Sequence, residues 1–223
     1  MAGQMRSDRP VPLLIRARRT VAKMRRAYNR RVGPKRLRKA LTRTTSPKVV
    51  LGSGATQWGG DWVSTDREFL DLLKPSDWER FFKPNTIAAM LAEHVWEHLT
   101  LEQGLLAART CFIYLRPGGY LRLGVPDGFH PSKEYIEWVR VGGRSPMQIA
   151  NGHKVLYNYQ SFRSLLEQAG FRIQLYEYFD EHGVFQYQPW DPQFGMIRRS
   201  RRFDKRNQNG SLVYTSIVLD AIK

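Results

Sequence analysis

The 223-residue chain has a single cysteine, Cys111. That excludes a disulfide framework and any cysteine-built metal site, and it fits a reducing compartment, with the cytoplasm as the expected location. No run approaches the roughly 18 apolar residues that a bilayer span requires. The stretch from Val11 to Ile15 is too short and too interrupted by proline for a signal-peptide core. Acid is almost missing from the beginning: residues 1–47 carry 15 of the 36 Lys and Arg residues, but only Asp8 among the 20 acids. From Lys48 onward 21 basic residues face 19 acidic ones, so the body is nearly neutral. A basic arm on a neutral body suits an anionic partner, either nucleic acid or an acidic membrane surface, and serves equally as a solvated tail. An Arg-rich start also suits a transit peptide, against which stand the arm's length and its scarcity of serine.

The length allows one well-cored domain and one active centre, and no internal repeat is visible. Within the arm, Leu14, Val21, Met24 and Tyr28 recur at helical spacing among basic residues, which predicts an amphipathic helix. Its apolar stripe could dock on the body, lie on a membrane or meet a partner, docking being the plainest. Gly33-Pro34 is expected to interrupt it, with a second short helix around Leu37, Ala40 and Leu41 and a linker at Thr44 to Pro47. The organisation read from this is a basic helical arm over residues 1–47 and a folded domain over 48–223.

Beyond Lys48 short apolar runs alternate with helical stretches. Lys48 to Leu51 reads as a buried strand ending in Gly52-Ser53-Gly54, and Trp62 to Thr65 as a second ending on Asp66. Ile87 to Ala92 ends in Glu93-His94. Leu101 to Leu115 is a helix closed by Pro117-Gly118-Gly119, and Tyr120 to Val125 a strand ending at Pro126-Asp127. Ser161 to Ala169 is a helix with Ser161 as its cap, followed by strands over Phe171 to Phe179 and Leu212 to Ala221. Such alternation gives an α/β fold with a mainly parallel sheet. The segment of about 30 residues between the last two strands, with Trp190 and the cluster Arg198, Arg199, Arg201, Arg202, Lys205 and Arg206, is long enough to be a lid or a substrate wall.

Glycines after the first strand let a ligand approach the backbone where a Cβ would collide, and a carboxylate ending the second strand can accept from both hydroxyls of a ribose. Gly52, Ser53, Gly54 and Asp66 therefore predict a nucleoside-containing cofactor. The spacing is not the dinucleotide pattern G-x-G-x-x-G, because position 57 is Gln.

Leu91-Ala92-Glu93-His94-Val95-Trp96-Glu97-His98-Leu99, followed after a helix by Leu115-Arg116-Pro117-Gly118-Gly119-Tyr120-Leu121-Arg122, resembles the signature E-H-x-x-E-H-L … L-K-P-G-G-x-L-R of class I S-adenosylmethionine (SAM)-dependent methyltransferases. The resemblance continues through Val125-Pro126-Asp127-Gly128, Gly152-His153-Lys154, Glu167 to Phe171 and Arg201 to Asn207. It is to bacterial predicted methyltransferases of unassigned substrate and covers residues 48–223. It implies a Rossmann-like, seven-stranded, mostly parallel sheet with helices on both faces and the last strand antiparallel. It also implies that Gly52 and Gly54 pass under the amino-acid part of SAM, that Asp66 holds the ribose, and that Asp77 and Trp78 lie near the adenine. Glu93 and His94 would face the cofactor cleft. Core packing is the alternative for Trp78.

Methyl transfer demands alignment of nucleophile and methyl, and a base where the acceptor is a hydroxyl. Candidate bases are His153, Asp127 and His130, with His153 preferred because its ordinary pKa suits neutral pH. Each also has a structural reading. Glu97 and His98 read as structural, His182 is uninformative, and no metal is expected, since nothing matches a spacing such as H-E-x-x-H. Amino-nucleobase methyltransferases resemble one another in an Asp/Asn-Pro-Pro-aromatic motif where this chain has Ala92-Glu93-His94-Val95, and cytosine carbon-5 enzymes need a nucleophilic Cys, whereas Cys111 falls within a helix. The expected function is SAM-dependent transfer of a methyl to an oxygen, or a nitrogen, of a carbohydrate-like or small-molecule acceptor. The competing readings are a non-catalytic SAM-binding module and an RNA methyltransferase that uses the arm to hold RNA.

Overall fold

The computed structural model describes residues 13–54, 58–143, 152–207 and 210–223, with side chains in the first helix described from Thr20 on, Ala22 excepted. The elements run α1 (Leu13–Leu41), β1 (Lys48–Leu51), β2 (Trp62–Ser64), α2 (Pro75–Glu79), β3 (Ile87–Glu93), α3 (Leu101–Tyr114), β4 (Leu115–Pro126), α4 (Lys133–Val139), α5 (Tyr159–Glu167), β5 (Arg172–Phe179), β6 (Phe185–Tyr187) and β7 (Ser216–Ile222). They build one seven-stranded sheet of order β2-β1-β3-β4-β7-β5-β6. Strands β2, β1, β3 and β4 are mutually parallel, while β7 enters antiparallel between β4 and β5 and β6 folds back on β5. The mostly parallel sheet with an antiparallel last strand is the one the resemblance implied, and the hairpin strand β6 is an addition to the strands read from sequence.

Alternation along the strands sorts the two faces. Val49, Leu51, Met90, Ala92, Leu121, Leu123, Ile217 and Leu219 join the main core, with Ala107, Ala108 and Cys111 of α3 and Phe162, Leu165 and Leu166 of α5. Val50, Leu91 and Val218 point the other way and meet Ile197, Trp190, Trp58 and Trp62. That second face is covered chiefly by the segment between β6 and β7. Gly124 lets the segment approach, since a Cβ there would lie 2.9 Å from Ile197 Cγ2. Arg122 holds the segment from below. Its guanidinium makes paired 2.8 Å bonds to the Asp220 carboxylate and donates to the carbonyls of Asp191 and Gly195.

Local chemistry sets the helix ends. Thr100 and Gln103 form a reciprocal capping box at α3, which runs directly into β4. The cap of α5 is Asn158, with Ser161 as its capping-box partner, so Ser161 belongs to the first turn instead of preceding the helix. In α1 the expected break is absent: one helix passes through Pro34. The lost backbone bond is offset by docking around it, for Gly33 lies against the Phe69 ring and Leu37 is fully buried. The docked face is Asn29, Gly33 and Leu37 at i, i+4 and i+8, while Val21, Met24 and Tyr28, the stripe read from sequence, are exposed. The side chain of Leu14 lies outside the described residues. No helix among the described residues is long and apolar enough to cross a membrane.

Candidate active site

In an open α/β sheet ligands sit beyond the carboxyl ends of the strands, at the point where successive connections leave in opposite directions. Here that point lies between β1 and β3, because the chain leaves β1 for β2 on one side and returns to β3 on the other. The glycine turn is at this place. Gly52 and Gly54 have φ of +61° and +59°, the left-handed region that favours glycine. A Cβ on Gly52 would meet Val95 Cγ2 at 2.9 Å, whereas nothing among the described residues lies within 4 Å of one on Gly54, which lines the cleft. The Ser53 amide is fixed by the Thr65 carbonyl at 2.9 Å, which clamps the β1 turn to the end of β2.

Three connected lobes fan out from this turn. The largest, about 640 Å³, is lined by Ser53, Gly54, Trp58, Trp62 and Asp66 and roofed by Arg25, Tyr28, Asn29 and Arg36 of α1. The second holds Gly52, Ser53, Gly54, Glu93, His94 and Arg199. The third runs from Gly52 and Asp66 past Leu70, His94 and Val95 to His98.

Of the expected cofactor residues, Gly52, Ser53, Gly54, Asp66, Glu93 and His94 thus come together around one cleft. Asp66 accepts from the Arg67 amide at 2.8 Å and from Asn29 Nδ2 at 3.2 Å. Burial, followed by the nearby Glu68, raises its pKa above the ordinary value. Glu93 ends β3 half-buried and finds its partner in the Arg199 amide at 2.6 Å, so the long segment closes this side of the cleft. His94 is held at φ +55°, uncommon for a side-chain-bearing residue. Its amide bonds to the Gly124 carbonyl and its Nε2 lies 3.0 Å from Ser216 Oγ. Burial lowers its pKa, outweighing the opposing pull of Glu97, and favours the neutral ring.

Asp77 and Trp78 are placed elsewhere. Trp78 is fully buried, stacked on Tyr114 at 5.0 Å, with its indole N–H on the Asp71 carbonyl, so it offers no ring face to a base. Asp77 accepts from the Asp71 amide and pairs with Lys74 and Arg80. Both support α2 and the loop below Asp66. Pro75 at the start of that helix, with an acid two residues on, is the sequence signal that assigns them to a helix start.

None of the three candidate bases is among the residues that line these three lobes. Asp127 is fully buried and accepts from the amides of Phe129 at 2.9 Å and Phe179 at 2.7 Å, tying the end of β4 to the end of β5. Burial pushes its pKa up to about 6. His130 is stacked on Tyr135 at 3.9 Å and accepts from the Ser132 amide, and burial pushes its pKa down to about 4. His153 is buried behind the third lobe, edge-on to His98 with ring centres 5.0 Å apart, its Nδ1 on the Val139 carbonyl at 2.7 Å. The residue that sequence reasoning set aside, His98, is the one that reaches the cleft surface. Glu97, set aside with it, is completely buried between His94 and His153. Their assembly depends on a contact more than 50 residues away in sequence, where the Glu97 carbonyl accepts from the amides of Lys154 and Val155.

Compared with known proteins, the chain matches no family model and no curated protein. Among solved structures it is similar to a SAM-dependent methyltransferase of Thermotoga maritima, with 11% identity, a TM-score of 0.47 and 95% and 100% of the two chains covered. It is also similar to a SAM-dependent methyltransferase of Mesorhizobium loti, with 13% identity, a TM-score of 0.46 and 80% and 91% coverage. A third is the phosphoethanolamine N-methyltransferase 2 of Haemonchus contortus, solved in complex with SAM, at 14% identity, a TM-score of 0.42 and 85% and 52% coverage. By its own strand order, with the glycine turn at the switch point between β1 and β3, the chain has a Rossmann-like α/β fold.

Proposed function

We propose that this chain is a SAM-dependent methyltransferase that moves a methyl group to an oxygen, or a nitrogen, of a carbohydrate-like or other small polar acceptor. One observation carries the reading: an open glycine turn and the Asp66 carboxylate share one cleft at the carboxyl ends of β1 and β2. The largest lobe falls in the range of roughly 300–1,000 Å³ typical of small-molecule sites. Its Trp58 and Trp62 supply aromatic faces, the role that Trp78 cannot fill.

The cofactor, when bound, supplies a methyl already activated for displacement at carbon. What remains for the chain is to hold and orient. Gly52 and Gly54 would admit the amino-acid part against the backbone, Asp66 would accept from the ribose, and Glu93 and His94 border the second lobe, where the methyl would be presented. The acceptor would enter through the third lobe, which ends at His98. The basic roof over the largest lobe, Arg25 and Arg36, also favours an acceptor or partner carrying negative charge.

Calorimetric titration with SAM and with its demethylated product S-adenosylhomocysteine tests the reading. Micromolar binding, weakened at least tenfold by Asp66→Ala, is expected. Absence of saturable binding would reject it.

A further inference from the structure

We infer that Glu97, His98 and His153 form a binding site for one first-row divalent cation of the zinc class, set in the wall of the cleft. The three side chains each offer a ligand atom, and these atoms all lie within 4.8 Å of one another. Two ligands that each sit about 2.1 Å from an ion are roughly 3–4 Å apart, so small side-chain rotations close the set around a cation.

The unmet polar demand is the second observation. Glu97 is 0% exposed, yet neither carboxylate oxygen has a hydrogen-bond partner among the described residues. His94 Nδ1 comes within 3.0 Å of Glu97 Oε1, an ion-pair distance without hydrogen-bond alignment, and Nε2 of the same ring is engaged with Ser216. A buried carboxylate whose close polar neighbours among the described residues are imidazoles without an aligned hydrogen bond is costly and calls for a positive centre.

His153 is prepared as a ligand. Its Nδ1 lies 2.7 Å from the Val139 carbonyl, which can only accept, so Nδ1 carries a proton and Nε2 is the atom that offers the lone pair in the neutral ring. That Nε2 is buried, without a partner, and 4.0 Å from Glu97 Oε1. Two acceptors therefore face each other across a gap too long for a direct hydrogen bond. A carbonyl that fixes the ring tautomer from behind is the usual outer support of a metal-bound histidine.

The backbone holds the set in place. The Glu97 carbonyl accepts from the Lys154 amide at 2.7 Å, which brings His153 alongside, and Gly152 passes so close to His98 that a Cβ would lie 3.1 Å from Nδ1. His98 borders the third lobe, so an ion held here has an open side toward the cleft. A carboxylate and two imidazoles with one open position is a donor set of catalytic zinc sites. Such an ion would lower the pKa of an acceptor hydroxyl bound to it, the proton leaving to solvent. That role rests on the methyl-transfer reading; the site itself does not.

The test is calorimetric titration of zinc into the full chain, purified without a histidine tag and stripped with chelator, with cobalt absorption as a second readout. One equivalent should bind, with affinity at least tenfold weaker in His98→Ala and His153→Ala and unchanged in His182→Ala, whose side chain is exposed and is not one of the clustered ligands. His98 is only partly buried, so its replacement keeps the test valid where Glu97→Gln or His153→Ala fails to fold. No saturable binding, or equal binding in wild type and His98→Ala, would overturn the site. S-adenosylhomocysteine titrated into the metal-free protein reports separately on the cofactor cleft.

Discussion

Asn29, on the helix that precedes the sheet, donates to the carboxylate of Asp66 at 3.2 Å. On the proposed reading the same carboxylate would accept from the ribose hydroxyls of an adenosine cofactor, so α1 and the cofactor would compete for it. Asn29→Ala removes a part-buried bond with a net contribution of about 1 kcal/mol. S-adenosylhomocysteine should therefore bind about fivefold more tightly to the variant. Weaker binding in calorimetry would mean that Asn29 belongs to the site and does not stand in for the ligand.

The two glycines of the turn should respond differently. Gly54→Ala meets no neighbour among the described residues and bears the cost of a left-handed φ, about 1–2 kcal/mol. Gly52→Ala bears the same cost and also presses on Val95. Denaturant unfolding should rank Gly52→Ala below Gly54→Ala, and Val95→Ala should recover part of the difference in the double variant.

The clamp beneath the long segment is a buried ion pair. Among the described residues, Arg122→Met leaves Asp220 with only the Tyr176 hydroxyl as a side-chain partner and should cost about 3–5 kcal/mol. Replacing both residues, Arg122→Met with Asp220→Leu, should restore most of that stability. A double variant no better than the single would show that the bonds from Arg122 to the Asp191 and Gly195 carbonyls matter more than the charge.

His130 makes stability depend on pH. Its folded pKa, about 4, lies below the ordinary 6.5, so the folded state binds fewer protons than the unfolded state between these values. Its contribution is complete above pH 6.5 and is lost as pH falls toward 4. His130→Asn keeps an acceptor for the Ser132 amide and cannot titrate. Between pH 7 and pH 5 the variant should lose about 1–2 kcal/mol less stability than wild type. Asp127, raised to about 6, acts in the opposite sense over about pH 4 to 6 and should then become visible.

The parts of this account that are local in sequence were legible there. Lys48 to Leu51, Ile87 to Ala92 and the glycine turn carry their own β-branched or apolar pattern and their own φ requirement, and the acid ending β2 follows within a dozen residues. What was not legible depends on distant contacts. Gly33-Pro34 reads as a break because propensity is local, but Phe69 and Leu37 pack the helix through it. Trp78 reads as a base platform only until Tyr114 is known to cover its face. Asp127 and His130 end a strand in the right place, yet they turn into the protein to hold Phe179 and Tyr135. Glu97 and His98 look structural until His153 arrives beside them.

The most direct test of the cofactor cleft is a crystal structure of the full chain with S-adenosylhomocysteine. Adenosine should lie over Gly52 to Gly54, with both ribose hydroxyls within hydrogen-bond distance of Asp66 and Asn29 displaced from it. A ligand bound elsewhere, or a cleft still closed by the Asn29–Asp66 contact at saturating ligand, would contradict the account.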